Sequence, residues 1–369
     1  MIPSLRDKLE ALMLIPGLSG HEDRVRRHIT KALAGLPLQV SVDTLGNLIC
    51  TLPGKADAPS VMLFAHTDSL GFVTRKIEAN GLIRIERLGG IPEKALPAQL
   101  VTFCVGEGRD VEGIIANKSH HASTADEKYK VTPYADLFID IGAESAEEVR
   151  ARGIEIGTAV VYSPRVVHLS ETRVAGTSVD DRAGCAVVME VAEALVKLPE
   201  AQRPTVHFVF AVLEEFNLRG AMVAAQALRP AIAIQIDLAL NSDTPDMASR
   251  GEMLMGGGPA MALYSFHGRG TLNGTLPHPT LPKLMAETAR AEGITLQRTA
   301  HIGALTDSSY VQLVGSGVAC IDMCFPSRYT HTALEQCDLR DLAGLTQLLS
   351  AAIPRIAADD FSLDRDLVT

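Results

Sequence analysis

The chain opens with Leu5, Leu9, Leu12 and Met13 at three- and four-residue spacing, which predicts a helix that Pro16-Gly17 ends. Ser19-Gly20-His21-Glu22 follows with the Ser-x-x-Glu form of a capping box. It predicts a second helix that buries Val25, Ile29 and Leu33, and gives His21 no chemical role. From position 61 the texture changes to short, nearly continuous apolar runs at 61–64, 206–213, 231–236 and 318–325. Runs of this length, separated by helical stretches, predict buried strands of a largely parallel sheet. Helical stretches at 181–197, 218–228, 281–291 and 342–356 supply the flanking layers.

Between 69 and 164 the pattern differs again. Segments 72–77 and 82–88 flank Asn80-Gly81, a hairpin signal, because both residues tolerate the positive φ of a type I′ turn. Further short β-rich pieces lie at 100–105, 111–115 and 158–162. The expected architecture is α/β, with a mixed, mostly parallel sheet flanked by helices. A small all-β, barrel-like domain at 69–164 interrupts an α/β domain formed by 1–68 and 165–369.

Composition narrows the function classes. With 34 basic and 44 acidic side chains, the 369 residues carry a formal charge of −10, and 47% of them are apolar. That apolar fraction supports a sizeable core and argues against disorder. The acidic balance argues against nucleic acid or an anionic membrane as a partner and favours cationic ligands, metals included. Cys50, Cys104, Cys185, Cys320, Cys324 and Cys337 have neither zinc-knuckle spacing nor disulfide-scaffold density, so they are expected to be reduced and mostly buried. Arg6, Asp7, Lys8 and Glu10 break up the start of the chain, and no apolar run approaches the ~20 residues of a membrane span. The expected location is cytoplasmic.

Ligands collect at the carboxyl ends of strands in open α/β sheets. There the sequence places Ala65-His66-Thr67-Asp68, Glu214-Glu215, Asp237 and Arg328-Tyr329-Thr330-His331, while Asp180-Asp181-Arg182-Ala183-Gly184 opens a helix. Singly, each has a bland reading: Asp237 as a turn or cap, the glutamates as an exposed pair, His331 as a surface histidine. Together they bring imidazoles and several carboxylates to one rim, where the carboxylates could not all stay ionised without a cation. Mixed His and carboxylate donors suit Zn²⁺, Co²⁺ or Mn²⁺, and the lack of Cys ligands argues against a purely structural zinc.

The motifs Ala-His-x-Asp at 65–68, Asp-Asp-Arg-x-Gly at 180–184, Glu-Glu-x-x-x-Arg-Gly at 214–220 and Arg-Tyr-x-His at 328–331 carry a family likeness. In this order the chain resembles the co-catalytic metallo-aminopeptidases of the glutamyl-aminopeptidase and tetrahedral (TET) type, FrvX-like members included. The likeness runs from Pro16-Gly17-Leu18-Ser19-Gly20 through the inserted β domain to His331. It implies a zinc-exopeptidase-like fold with two divalent ions, zinc or cobalt first and manganese next. It further implies that Asp180 bridges the ions, that His66 and Asp237 complete one site, and that Glu215 and His331 complete the other. Glu214 matches the general base, and Asp68 the residue that orients His66. The implied reaction removes the N-terminal residue of short peptides, with a metal-bridging hydroxide as nucleophile. The implied assembly is a homo-oligomer, dimers building a dodecamer, with the inserted domain contributing contacts and a substrate-access role.

The implied roles are chemically consistent. Two ions about 3.5–4 Å apart lower the pKa of a shared water and polarise a carbonyl. Adjacent residues at a strand end point in different directions, so Glu214 and Glu215 can divide the tasks of base and ligand. Asp68, two residues after His66, is expected to accept from the ring nitrogen that is not bound to metal. Three places depart from the family pattern: Phe216-Asn217-Leu218, Thr332-Ala333 and Thr306-Asp307-Ser308. They leave every ligand in place, but the last two lie near where substrate should bind, so no substrate-binding residue is assigned.

Several residues are set aside. His120-His121 reads as a solvated loop, His207 as a packed core histidine, Cys185 as core, and Gly256-Gly257-Gly258-Pro259 as a turn near the substrate rim, since no Gly-Lys-Ser/Thr follows it. Other functions remain in competition. A deacylase of N-acyl amino acids or other small amides would use the same ligands and base. A glycosidase, the endoglucanase label some relatives carry, needs two carboxylates across a sugar and normally no metal, and is disfavoured. A binding protein stapled by metal would not need Glu214.

Overall fold

The computed structural model of the chain describes residues 1–268 and 273–367. Its centre is a mixed sheet in the order Gln39–Val42, Leu48–Leu52, Val206–Ala211, Val61–His66, Ile232–Leu240, Ala319–Ser327, Ala260–Phe266 and Gly274–Thr275, with Gln297–Ile302 pairing Ala260–Phe266. The four strands from Val206–Ala211 to Ala319–Ser327 run parallel to one another. These are the four apolar runs of the sequence, and their alternate residues serve two cores. Val61, Leu63 and Ala65 pack into the larger core with the helices Ile2–Met13, Asp23–Leu33, Val179–Leu195, Thr280–Ala291 and Leu339–Arg355. Met62 and Phe64 pack into the smaller core with Gly220–Leu228 and Ser308–Val311. Burial on both faces explains why these runs show no polar alternation. Emptying such a site, as Phe64→Ala would, costs about 3–5 kcal/mol, so the strand ends that follow are carried on a rigid frame.

Between Gly71 and Tyr162 lies a closed barrel of Gly71–Ile77, Ile83–Leu88, Ile139–Asp140, Val111–Ile115, Leu100–Phe103 and Ala159–Tyr162. It has its own core, including Phe72, Ile83, Ile85, Val101, Phe103 and Ile139. The expected hairpin forms, but its turn differs. Gly81 takes a φ of +83° while Asn80 stays out of the positive region. Gly81 N–H donates to Glu78 at 3.0 Å, and Glu78 N–H donates to Leu82 at 2.8 Å. The loop is therefore three residues closed by a left-handed glycine, and it needs one positive φ instead of two.

The capping box is also corrected. The helix Asp23–Leu33 forms and buries Val25, Ile29 and Leu33, without a side-chain cap. The chain just before it pairs with the segment after Val61–His66, through a Leu18–Ser69 bridge. That draws the Ser19 hydroxyl to the Asp68 carboxylate, while Glu22 accepts from Gly20 N–H at 2.8 Å and Leu213 N–H at 3.1 Å. A three-stranded antiparallel sheet of Val166–His168, Arg173–Gly176 and Glu335–Asp338 was not foreseen. It sets Gly176 opposite Glu335, so the chain entering at Asp180 runs beside the chain leaving His331. Among the described residues, no helix is long and apolar enough to cross a membrane.

Candidate active site

His66 ends the strand Val61–His66, and Asp237 lies near the end of the neighbouring Ile232–Leu240. Asp180 enters from the other side, at the start of Val179–Leu195, where it and Asp181 keep non-helical backbone angles and are joined by a cis peptide. Glu214 and Glu215 follow Val206–Ala211, and His331 follows Ala319–Ser327. All seven proposed residues come together. Donor atoms of His66, Asp180 and Asp237 lie within 4.8 Å of one another, and so do those of Asp180, Glu215 and His331. Asp180 belongs to both groups: Oδ1 is 3.0 Å from His66 Nε2, and Oδ2 is 3.4 Å from His331 Nε2. A third grouping, His66 with Glu214 and Glu215, meets the same limit. It uses neither Asp180 nor Asp237, and a cation held there would leave those two carboxylates without a ligand role.

Backbone carbonyls set both imidazoles. His66 Nδ1 is 3.1 Å from the Asp68 carbonyl, and His331 Nδ1 is 2.6 Å from the carbonyl of Gly90, a residue of the barrel segment. A carbonyl only accepts, so Nδ1 carries the proton and Nε2 of the neutral ring is free to bind a metal. Asp68 therefore acts partly otherwise than expected. Its carboxylate is 3.5 Å from His66 Nδ1 and accepts from the amides of Glu214 and Glu215, at 3.0 Å each. It fixes the two glutamates at least as directly as the ring.

Glu335, missed in the sequence, and the motif residues Asp181, Arg182 and Gly184, assigned no role there, hold this set. Glu335 is buried and accepts from Asp180 N–H at 2.9 Å and His331 N–H at 2.7 Å. Asp181, also buried, accepts from Gly184 N–H at 3.0 Å and His66 N–H at 3.3 Å. A Cβ on Gly184 would sit 2.3 Å from Asp181 Oδ1, which accounts for the glycine of the Asp-Asp-Arg-x-Gly motif. Arg182 is fully buried, donates to the Leu12 carbonyl at 3.1 Å, and sets a positive charge behind Glu22, Asp68 and Asp181. Ser178, Leu213, Asn217, Leu218, Tyr329 and His331 all have φ between +58° and +75° without being glycine. Each such residue costs about 1 kcal/mol or more, and six within three residues of proposed ligands mark a rim whose geometry is imposed by its surroundings.

The electrostatics are those of a crowded anionic site. Burial pushes Glu214 and Asp237 well above the carboxylate range, with Glu215 adding to the first and Asp180 to the second. Burial takes Glu215 to about 7 and Glu335 to about 8, in both cases with Asp180 as a neighbouring negative charge. Asp180, though buried, is held well below the usual range by hydrogen bonds from His331 and His66. Both imidazoles are raised by these carboxylates, against the opposing effect of burial. Divalent cations would relieve this crowding, and the nitrogen and oxygen donors fit such ions.

The residues set aside stay outside the site's donor groups. His120 and His121 are exposed, and His207 is half-buried with Nδ1 2.9 Å from Thr51 Oγ1. Gly256 and Gly258 donate to Asp341, at 2.7 and 2.8 Å, and form a turn against the start of Leu339–Arg355. Cys185 is buried, and its thiol donates to the His66 carbonyl at 3.1 Å.

The sequence model of the M42 glutamyl aminopeptidase family matches residues 46–348. The chain belongs to that family. It is an aminopeptidase, a hydrolase of peptide bonds, in a metal-dependent family. It is similar to the putative aminopeptidase SgcX of Escherichia coli K12, at 34% identity over 98% of this chain and 96% of that protein. It is also similar to the structure of aminopeptidase APDkam598 from the archaeon Desulfurococcus kamchatkensis, with a TM-score of 0.89, 29% identity and 98% of both chains covered. The Pyrococcus horikoshii TET1 peptidase, described as assembling into a tetrahedron or a large octahedral shell, matches with a TM-score of 0.81. Its identity is 28%, over 95% of this chain and 99% of that one. In this M42 aminopeptidase the four sequence motifs thus meet at one rim, where Glu214 Oε2 stands 4.0 Å from His66 Nε2.

Proposed function

We propose that this aminopeptidase works with two divalent ions per chain, zinc or cobalt, and removes the N-terminal residue of short peptides. The observation that carries this reading is the pair of donor groups sharing Asp180, with Glu214 belonging to neither of them. His66 and Asp237 would hold one ion and Glu215 and His331 the other, with Asp180 between them. When bound, the ions supply Lewis acidity towards the scissile carbonyl and lower the pKa of water at the site.

The chain's own groups do the rest. Glu214 takes the proton from the attacking water and delivers it to the departing amine, and its buried, proton-attracting carboxylate suits transfer near neutral pH. Asp68 keeps Glu214 and Glu215 in place through their amides. Glu335 does the same for Asp180 and His331. The test is a panel of aminoacyl anilides against N-acetylated amino acids, before and after chelation. Turnover of free-amine substrates that chelation abolishes and two equivalents of zinc or cobalt restore is the expected result. Turnover of the blocked substrates alone, or turnover that survives exhaustive chelation, overturns the reading.

We also read the chain as a homo-oligomer, in which residues 69–164 form a contact and access unit on a catalytic domain of 1–68 and 165–369. The likeness to the TET1 peptidase supports this, and light scattering that gives a monomer would reject it. Six unpaired cysteines, five of them buried, support a reducing, cytoplasmic setting.

A further inference from the structure

We infer that Gln235 is a positioning residue for Asp237, a device no motif in the sequence announces. The inference rests on the two-metal reading above. Gln235 lies two residues before Asp237 on the same strand, so both side chains project from one face of the sheet. It is fully buried. Its Nε2 donates to Asp237 Oδ2 at 3.0 Å, and its Oε1 accepts from Ser308 N–H at 2.7 Å.

The second contact decides the first. A backbone amide can only donate, so the oxygen of Gln235 must face Ser308 and its NH₂ must face Asp237. The other oxygen of Asp237 accepts from Leu238 N–H at 2.7 Å. Each carboxylate oxygen thus has one protein donor and keeps a further lone pair. The choice of an amide matters chemically. A lysine or arginine here would also hold Asp237, but it would bring a positive charge that repels a cation at the same carboxylate. The glutamine orients the carboxylate through a neutral donor and adds no charge. It also ties the ligand to the Thr306-Asp307-Ser308 segment through a backbone amide. Ser308 opens the short helix Ser308–Val311 and lends its first amide to this chain of contacts.

The role of Gln235 is separable from general packing by measuring the two metal sites individually. Chelated wild type, Gln235→Met and Gln235→Leu are titrated with Co²⁺ and followed by calorimetry and by the visible spectrum of the bound ion. Methionine keeps the volume and removes both hydrogen bonds. Leucine also removes both hydrogen bonds, with a shorter, branched side chain that neither donates nor adds charge. In both variants one Co²⁺ site should weaken by about 10- to 100-fold, the range for loss of a group that orients a metal ligand, while the other stays within about threefold. Turnover should fall at limiting Co²⁺ and recover in excess, with KM unchanged.

Two sites of wild-type affinity in either folded variant overturn the inference. So does an equal weakening of both sites, which would mark Gln235 as a packing residue. If the methionine variant does not fold, the leucine variant decides alone. Wild type that binds fewer than two Co²⁺ would instead refute the two-metal reading, so the two failures are distinguishable.

Discussion

Without its metals this protein should lose stability as pH rises from mildly acidic to mildly alkaline. Glu215 and Glu335 have an ordinary value of 4.5, and burial in the fold takes them to about 7 and about 8. Between those values the folded state binds more protons than the unfolded state. The resulting stability is complete below about pH 4.5 and is lost as pH climbs through 7 to 8. Integrated from about pH 5.5 to about pH 8, the loss is about 2 kcal/mol for Glu215 and about 3 kcal/mol for Glu335. The raised imidazoles of His66 and His331 act in the same sense, while the lowered Asp68 and Asp180 release their protons below this window. At about 2.1 cal/mol/K per residue, a chain of this length unfolds with roughly 0.8 kcal/mol/K, so these two groups by themselves should lower Tm by about 6 °C, and the raised Glu22 and Asp307 add to the fall. Scanning calorimetry of chelated protein across this range measures it, with Glu215→Gln as the control. Glutamine does not titrate, so about 2–3 °C of the fall should vanish. Metal should stabilise most at the alkaline end, because the ligands must then shed no protons to bind it. A chelated Tm that stays flat or rises with pH, or a Glu215→Gln variant with the full slope, would refute the reasoning.

Other outcomes follow from single contacts. Asp68→Ala leaves the Glu214 and Glu215 amides without their acceptor. It should lower kcat by about 10- to 100-fold with both ions still bound, checked by elemental analysis beside a rate assay. His331→Ala should reduce the bound metal from two ions to one, since Asp180 then serves only the site with His66 and Asp237. Gly184→Ala drives a methyl into Asp181 at 2.3 Å and should cost about 1–3 kcal/mol by denaturant unfolding. Unchanged stability there would mean that Asp181 does not hold the helix start and His66 in place.

The elements that bury both faces were legible because apolar runs as short as 61–64 and 231–236, separated by helical stretches, fit strands better than helices. Their ends were legible for the complementary reason: His66, Glu214, Glu215 and Asp237 are polar where the pattern stays apolar. What the sequence hid is held together by long-range contacts. Ser19 and Glu22 fit a local capping rule, but Asp68 and Leu213 N–H, distant in sequence, outcompete it. Glu335 sits in a strand of only four residues, Glu335–Asp338, too short and polar to show a period. Gln235 falls inside an apolar strand run where a single amide reads as noise. The carbonyl of Gly90 has no side chain to signal it. The supports of the site were missed because most act through backbone groups, which every residue carries.

The central claim is that Glu214 moves the proton while His66, Asp180, Glu215, Asp237 and His331 hold two ions. The most direct test measures metal content and aminoacyl-anilide turnover on the same preparation of Glu214→Gln. The account predicts two divalent ions per chain, as in wild type, with turnover reduced by about 100-fold or more. A variant that keeps its turnover, or one that loses an ion and so reveals Glu214 as a ligand, would contradict it.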